Sequence, residues 1–233
     1  LARGIFNKMM EHGYPDVELW LIDTTTRMMT EPQFVLDEMM LFEFLGYEQQ
    51  RKAELLARVS QDKSVLMSND KFAALLTEFG EIPPRKISAA KSKTAGEPVE
   101  TWAFAKSDIG MQMLLEHETD EIRWLAEARV GVKSTINETR TERFLKMGAG
   151  GRSVPVALKY YGAHTGRWSA TDRTNFQNLQ RVDKKKPMSG RLRKSLRAPK
   201  GKVVVVADSA QIEARVLAWL TGHGELVTAF AME

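Results

Sequence analysis

A chain of 233 residues with 43% hydrophobic and 27% charged side chains holds enough apolar material for a buried core and is too apolar for a disordered tail. Its net charge is +4, its longest apolar runs fall short of the ~18–20 residues of a membrane span, and charges interrupt the N-terminal LARGIFNKMMEHGYPD where a secretory leader would be apolar. With no cysteine it has neither disulfides nor thiolate metal sites, which fits a reducing compartment.

Residues 1–60 read as mostly helical and methionine-rich, with the methionines as adaptable core filler. Pro32 is placed to open a helix carrying Phe34, Met39, Phe42 and Leu45, and Gly46 to close it. A second helical unit is predicted over 64–82. Ser68-Asn69-Asp70 supplies its cap, Phe72, Leu75, Leu76 and Phe79 its apolar stripe, and Pro83-Pro84 its end. Residues 85–100, RKISAAKSKTAGEPVE, have the composition of an exposed, mobile loop. The longest helical pattern covers 107–147, capped by Ser107 or Asp108, with acids early and bases late, and is interrupted at Val132–Thr135. Gly148, Gly150 and Gly151 read as a hinge between two bodies.

From Arg140 to Lys202 seventeen Lys and Arg face three acids, a local balance of +14. Such a block points to an anionic partner, nucleic acid first, with a solvated basic face as the plainer alternative. Within it, residues 152–163 contain short β-prone pieces. His164–Arg181 is dense in hydrogen-bonding side chains, with Trp168 and Phe176 as anchors. Lys184–Lys186 reads as a solvated charge run. Val203–Val206 then has the pattern of one buried strand, and Ile212, Val216 and Trp219–Leu220 repeat at helical spacing. Asp208, between the two, is placed either to hold a metal or to cap the helix.

TGRWS at Thr165–Ser169, QNLQR at Gln177–Arg181, RKSLRAPKG at Arg193–Gly201 and DSAQIEARVLAWL at Asp208–Leu220 stand in the order found in family A DNA polymerases. The chain resembles that family, in the bacteriophage style. VKST at Val132–Thr135 is similar to the family's thumb helix motif, Ser68–Lys106 to the thumb tip, and residues 1–45 to the end of a proofreading exonuclease running into the thumb. The resemblance implies an α+β fold: an exonuclease remnant over 1–34, a helical thumb over 35–147, and over 148–233 an incomplete palm whose antiparallel sheet includes Val203–Val206.

The resemblance also implies the chemistry. Two Mg2+ ions in the complete site require carboxylates. Asp208 matches the first of the family's two metal-binding aspartates, and Ser209 stands where a backbone carbonyl is the ligand, so a Ser in place of the usual Tyr is tolerated. Gln211, Ile212 and Glu213 match the nucleotide and sugar gate, Glu213 crowding the 2′ position against ribonucleotides. Arg167, Gln177 and Asn178 match residues at the primer–template terminus, where donors check the nearly sequence-independent minor groove. Lys133, Ser134 and Thr135 match thumb residues that grip duplex phosphates, or else form a capping turn. His164 orients its loop, and Arg215 pairs with a palm acid.

The family's fingers lysine and tyrosine and its second metal aspartate have no match here, and Asp16, Asp23 and Asp37 fall in helical packing and make no exonuclease site. The expectation is a chain that neither polymerises nor degrades DNA alone. Its partners would be primer–template DNA, deoxynucleoside triphosphates and a complementary fragment with fingers and remaining palm, without a membrane, in the cytoplasm of a host cell if viral. A non-catalytic duplex-binding subunit that keeps the thumb is the rival reading.

Overall fold

The computed structural model describes residues 2–172, 174–184 and 186–232. They form two compact units, Leu1–Arg197 and Ala198–Glu233, with α-helices and three two-stranded antiparallel sheets. Among the described residues no helix is long and apolar enough to cross a membrane.

The larger unit opens with α1 (Ala2–Glu11) and α2 (Asp16–Thr30), the latter following Pro15. Val35–Leu36 is then strand β1, and the next helix, α3, spans Glu38–Val59. The expected start at Pro32 and stop at Gly46 are therefore both corrected. Asp37 sets the start by accepting the Met40 N–H at 3.0 Å. Gly46 lies mid-helix, where an added Cβ would meet nothing within 4 Å. The stripe Leu41, Phe44, Glu48 and Lys52 stays buried across it, and that burial outweighs the ~1 kcal/mol a helical glycine costs.

α3 is 22 residues, roughly 33 Å, and bridges two cores. Its C-terminal Leu55, Leu56 and Val59 pack on a cluster drawn from α4 (Lys63–Met67), α5 (Asn69–Glu78), α7 (Ile109–Leu115) and α8 (Asp120–Lys133). Leu66, Phe72, Leu76, Met111 and Leu125 lie at its centre, and Phe79, expected in the stripe, is half exposed past the helix end. Its N-terminal Leu41 and Phe44 join Phe144 of α9 (Ile136–Gly148), together with Leu36, Val154, Leu179 and Leu192.

Residues 85–100 are not a structureless loop. β2 (Arg85–Ile87) pairs antiparallel with β3 (Glu100–Trp102) around α6 (Ala89–Ala95). Two serines supply the order: Ser88 Oγ caps α6 by accepting the Lys91 N–H, and Ser92 Oγ accepts the Val99 N–H at 2.9 Å. The 107–147 pattern is three helices. The break at Ser134–Thr135 was legible. The break over 116–119 contains no Gly or Pro and was not.

α9 does end at the glycine cluster, where a Cβ on Gly148 would press on Leu36 at 3.0 Å and Gly150 and Gly151 take φ +72°. The compact units nevertheless divide later. Val154 N–H donates to the Phe34 carbonyl at 2.7 Å, β4 (Leu158–Lys159) pairs with β5 (Ser169–Ala170), and after α10 (Arg191–Lys194) strand β6 (Leu196–Arg197) closes on β1. These ties and the burial of Leu179 and Leu192 fasten the segment to the larger unit as far as Arg197.

The smaller unit holds α11 (Ile212–Leu220) and α12 (Gly224–Ala231). Val203–Val206 is not a buried strand. Its four side chains are 82%, 50%, 83% and 84% exposed, and no described segment pairs with it. β-branched residues favour extended backbone, but a strand needs a neighbour for its N–H and C=O groups.

Candidate functional site

The Lys133–Thr135 turn joins two helices. Lys133 ends α8, Ser134 is its C-cap, and Thr135 precedes α9 without a side-chain cap bond. All three are exposed. Two buried cations hold the turn from behind. Lys52 of α3 donates from Nζ to the Ser134 carbonyl at 2.7 Å and pairs with Glu138 in the first turn of α9. Arg129, one turn before Lys133, is 1% exposed. Its Nη1 donates to the carbonyls of Leu66 at 2.6 Å and Ser68 at 3.1 Å, and its guanidinium lies 4.4 Å from the Phe72 ring and 4.8 Å from that of Phe104. Its Nη2 donates to Asn69 Oδ1, which also accepts from Lys133 Nζ at 3.0 Å. Burial pushes the Arg129 pKa down to about 10, which leaves it charged at neutral pH. Burial, and then the Arg129 charge, lower that of Lys133.

The loop around Arg167, Gln177 and Asn178 is anchored as its composition predicted. Trp168 Nε1 donates to Thr25 Oγ1 of α2 at 2.9 Å, and the Phe176 ring packs 5.3 Å from that of Phe144. Gln177 Nε2 reaches the Trp168 carbonyl at 3.3 Å. α9 supplies the remaining supports. Arg140 Nη1 donates to the Asn178 carbonyl at 3.4 Å, while Arg143 donates to Thr174 Oγ1 at 2.6 Å and pairs with Asp172 at 3.1 Å. Arg167, Gln177, Asn178 and His164 are exposed. Thr135, the α9 N-cap residue, and Arg140 are about 7.5 Å apart along the helix axis, so α9 links the turn to the loop at Asn178.

In the smaller unit Asp208 and Ser209 lie in irregular, exposed backbone ahead of α11. Asp208 is not the cap. That position belongs to Gln211, whose φ of 53° is left-handed, a strain of roughly 1–2 kcal/mol for a residue with a Cβ. Ile212 and Glu213 open the helix and are exposed. Arg215 donates from Nε to the Ala210 carbonyl at 2.9 Å and from Nη1 to the Phe230 carbonyl, with its guanidinium over the Phe230 ring. It thereby ties the approach of α11 to the end of α12. Among the described residues no three His, Asp or Glu side chains gather as a metal site. A carboxylate and a backbone carbonyl are the hard oxygen donors that Mg2+ takes, and the ion keeps the rest of its octahedral shell for water and phosphate. The Asp208–Ser209 pair therefore fits part of such a site.

The family model described as DNA polymerase family A matches residues 46–233, most of the chain. The chain belongs to DNA polymerase family A. A relative, the thermostable DNA polymerase I of Thermus thermophilus, is 42% identical over 66 residues, which are 28% of this chain and only 8% of the relative. No solved structure matches the chain.

Sequence reasoning missed the residues that support the turn and the loop: Lys52, Asn69, Arg129, Glu138, Arg140 and Arg143. A signal for two of them was present. Arg129 follows Ile122 and Leu125 by seven and four residues, and Lys52 follows Leu41 and Phe44 by eleven and eight, so both cations stand on apolar stripes.

Proposed function

We propose that this family A chain is a working part of a DNA-directed DNA polymerase, in which the larger unit grips primer–template DNA and the smaller one contributes the first metal-holding carboxylate. Residues 35–147 serve as the thumb, 148–233 as the first part of the palm, and 1–34 as the end of an exonuclease domain. Lys133, Ser134 and Thr135 contact duplex phosphates. Arg167, Gln177 and Asn178 read the primer terminus through the minor groove. Asp208 and the Ser209 carbonyl would hold Mg2+, and Gln211, Ile212 and Glu213 border the deoxynucleoside triphosphate. When bound, two such ions activate the primer 3′ hydroxyl and neutralise the triphosphate. A second carboxylate, from a segment that also supplies fingers, has to join Asp208 for in-line displacement. The resemblance of the motifs to bacteriophage members supports reading the reaction as replication of viral DNA, in the cytoplasm of a host cell if viral.

The observation that carries this reading is the pair of exposed carboxylates, Asp208 and Glu213, inside the family A match. A protein that only grips duplex has no use for carboxylates beside the backbone, where they repel phosphate. The test is primer extension with magnesium and deoxynucleotides, using this chain alone and mixed with a polypeptide carrying the family's fingers and second palm carboxylate. Extension in the mixture, lost on Asp208→Ala, is expected. Duplex binding with no extension in either case would favour the non-catalytic subunit, and an unchanged rate in Asp208→Ala would remove its catalytic role.

A further inference from the structure

The turn at Lys133 contains an unusual charge arrangement. Asn69 Oδ1 accepts from Arg129 Nη2 and from Lys133 Nζ, so two cations meet on one neutral amide oxygen. Among the described residues neither cation forms an ion pair. The nearest acid in sequence, Asp70, is engaged elsewhere, accepting the Trp102 indole N–H at 2.7 Å. Arg129 is satisfied by neutral groups alone, two carbonyls, the amide and two aromatic faces, and its Nε is buried without a partner. A buried guanidinium commonly draws a carboxylate, and an aspartate at position 69 would be the simplest means. The chain has an amide there instead.

We propose that Asn69 is a positioning residue for the DNA-backbone contact: it holds the Lys133 ammonium beside buried Arg129 without neutralising either charge, so that the counter-charge comes from a duplex phosphate. This rests on the reading of Lys133–Thr135 as a phosphate contact. Two consequences follow. The free protein keeps two like charges close together on one amide oxygen, and burial first and the Arg129 charge second lower the pKa of Lys133. An arriving phosphate relieves it, and Lys133 is already held at the end of α8, so little side-chain entropy remains to be lost on binding.

Asn69→Asp tests this because the inference assigns opposite signs to stability and binding. The new carboxylate would pair with Arg129 and Lys133, so the melting temperature should rise. The same pairing removes the need for a phosphate. Affinity for a mixed-sequence duplex should then fall about tenfold, and the slope of log K against log salt should become shallower by about one, as in Lys133→Ala. Unchanged affinity and slope in Asn69→Asp, with Lys133→Ala still weakening binding, would overturn the inference and leave the DNA-grip reading standing. A fall in melting temperature together with affinity would show that Asn69 only shapes the fold, and would also overturn it. If the unaltered chain binds no duplex, the reading of the turn fails and takes the inference with it.

Discussion

Lys52 shows how much of this molecule depends on one charge in an apolar place. Its side chain is 8% exposed and that of its partner Glu138 19%, so the two charges face each other largely out of water. It also satisfies the Ser134 carbonyl at the end of α8. Lys52→Met would leave a buried carboxylate and a carbonyl unpaired, and the expected loss is about 3 kcal/mol in urea unfolding. Lys52→Met combined with Glu138→Leu should recover most of it, since no charge is then stranded. A loss below ~1 kcal/mol in the single variant would mean that water reaches the pair. The sequence made the outward-facing half of this turn legible, because Val132–Thr135 matches a recurring motif. The inward-facing half was not legible, since a lysine at position 52 looks like any helical surface lysine until its register against Leu41 and Phe44 is counted.

At the scale of elements, two aspartates ahead of short helices are held ionised by hydrogen bonds. Asp62 caps α4 by accepting the Ser64 N–H at 2.6 Å, and that bond holds its pKa below the usual carboxylate value. Asp108 precedes α7. A hydrogen bond from Lys86 of β2 lowers its pKa most, and the Ala105 N–H adds to the effect at 2.8 Å. A folded-state pKa below the unfolded one means that the unfolded chain binds more protons in that range. The stabilisation is therefore complete above the unfolded value, near pH 4, and is lost as pH falls through the folded value. Melting temperatures from pH 7 to pH 2.5 should drop below about pH 4, and the drop should be smaller in Asp62→Asn with Asp108→Asn. An equal drop in that double variant would place the acid sensitivity elsewhere. The same elements show where sequence patterns succeed. α5 was readable from Ser68 and the Phe72–Leu76 stripe, because cap and stripe agree. The β2–α6–β3 segment was not, because its order comes from serine side chains bonding to backbone and its residues are mostly exposed.

For the molecule as a whole, the two units differ in how their backbone is satisfied. In Leu1–Arg197 the helices α3, α8 and α9 pack around two cores, and the exchange of their amides requires substantial opening. In Ala198–Glu233 Arg215 ties together a pair of short helices, and no described backbone hydrogen bond protects Val203–Val206. A run of four valines at least half exposed is an unpaired strand template, and such an edge pairs when a matching strand is supplied. Hydrogen exchange on the intact chain should therefore show residues 203–206 exchanging near the unfolded rate while α3, α8 and α9 stay protected. Duplex DNA should slow exchange at 133–135 and around 165–178 and leave 203–206 unchanged. Protection of 203–206 should come only with a polypeptide that supplies a matching strand, because the valines lack one among the described residues. Protection there in the free chain would mean that the valines already pair in solution. Protection induced by DNA alone would mean that duplex, rather than a partner strand, orders the approach to Asp208.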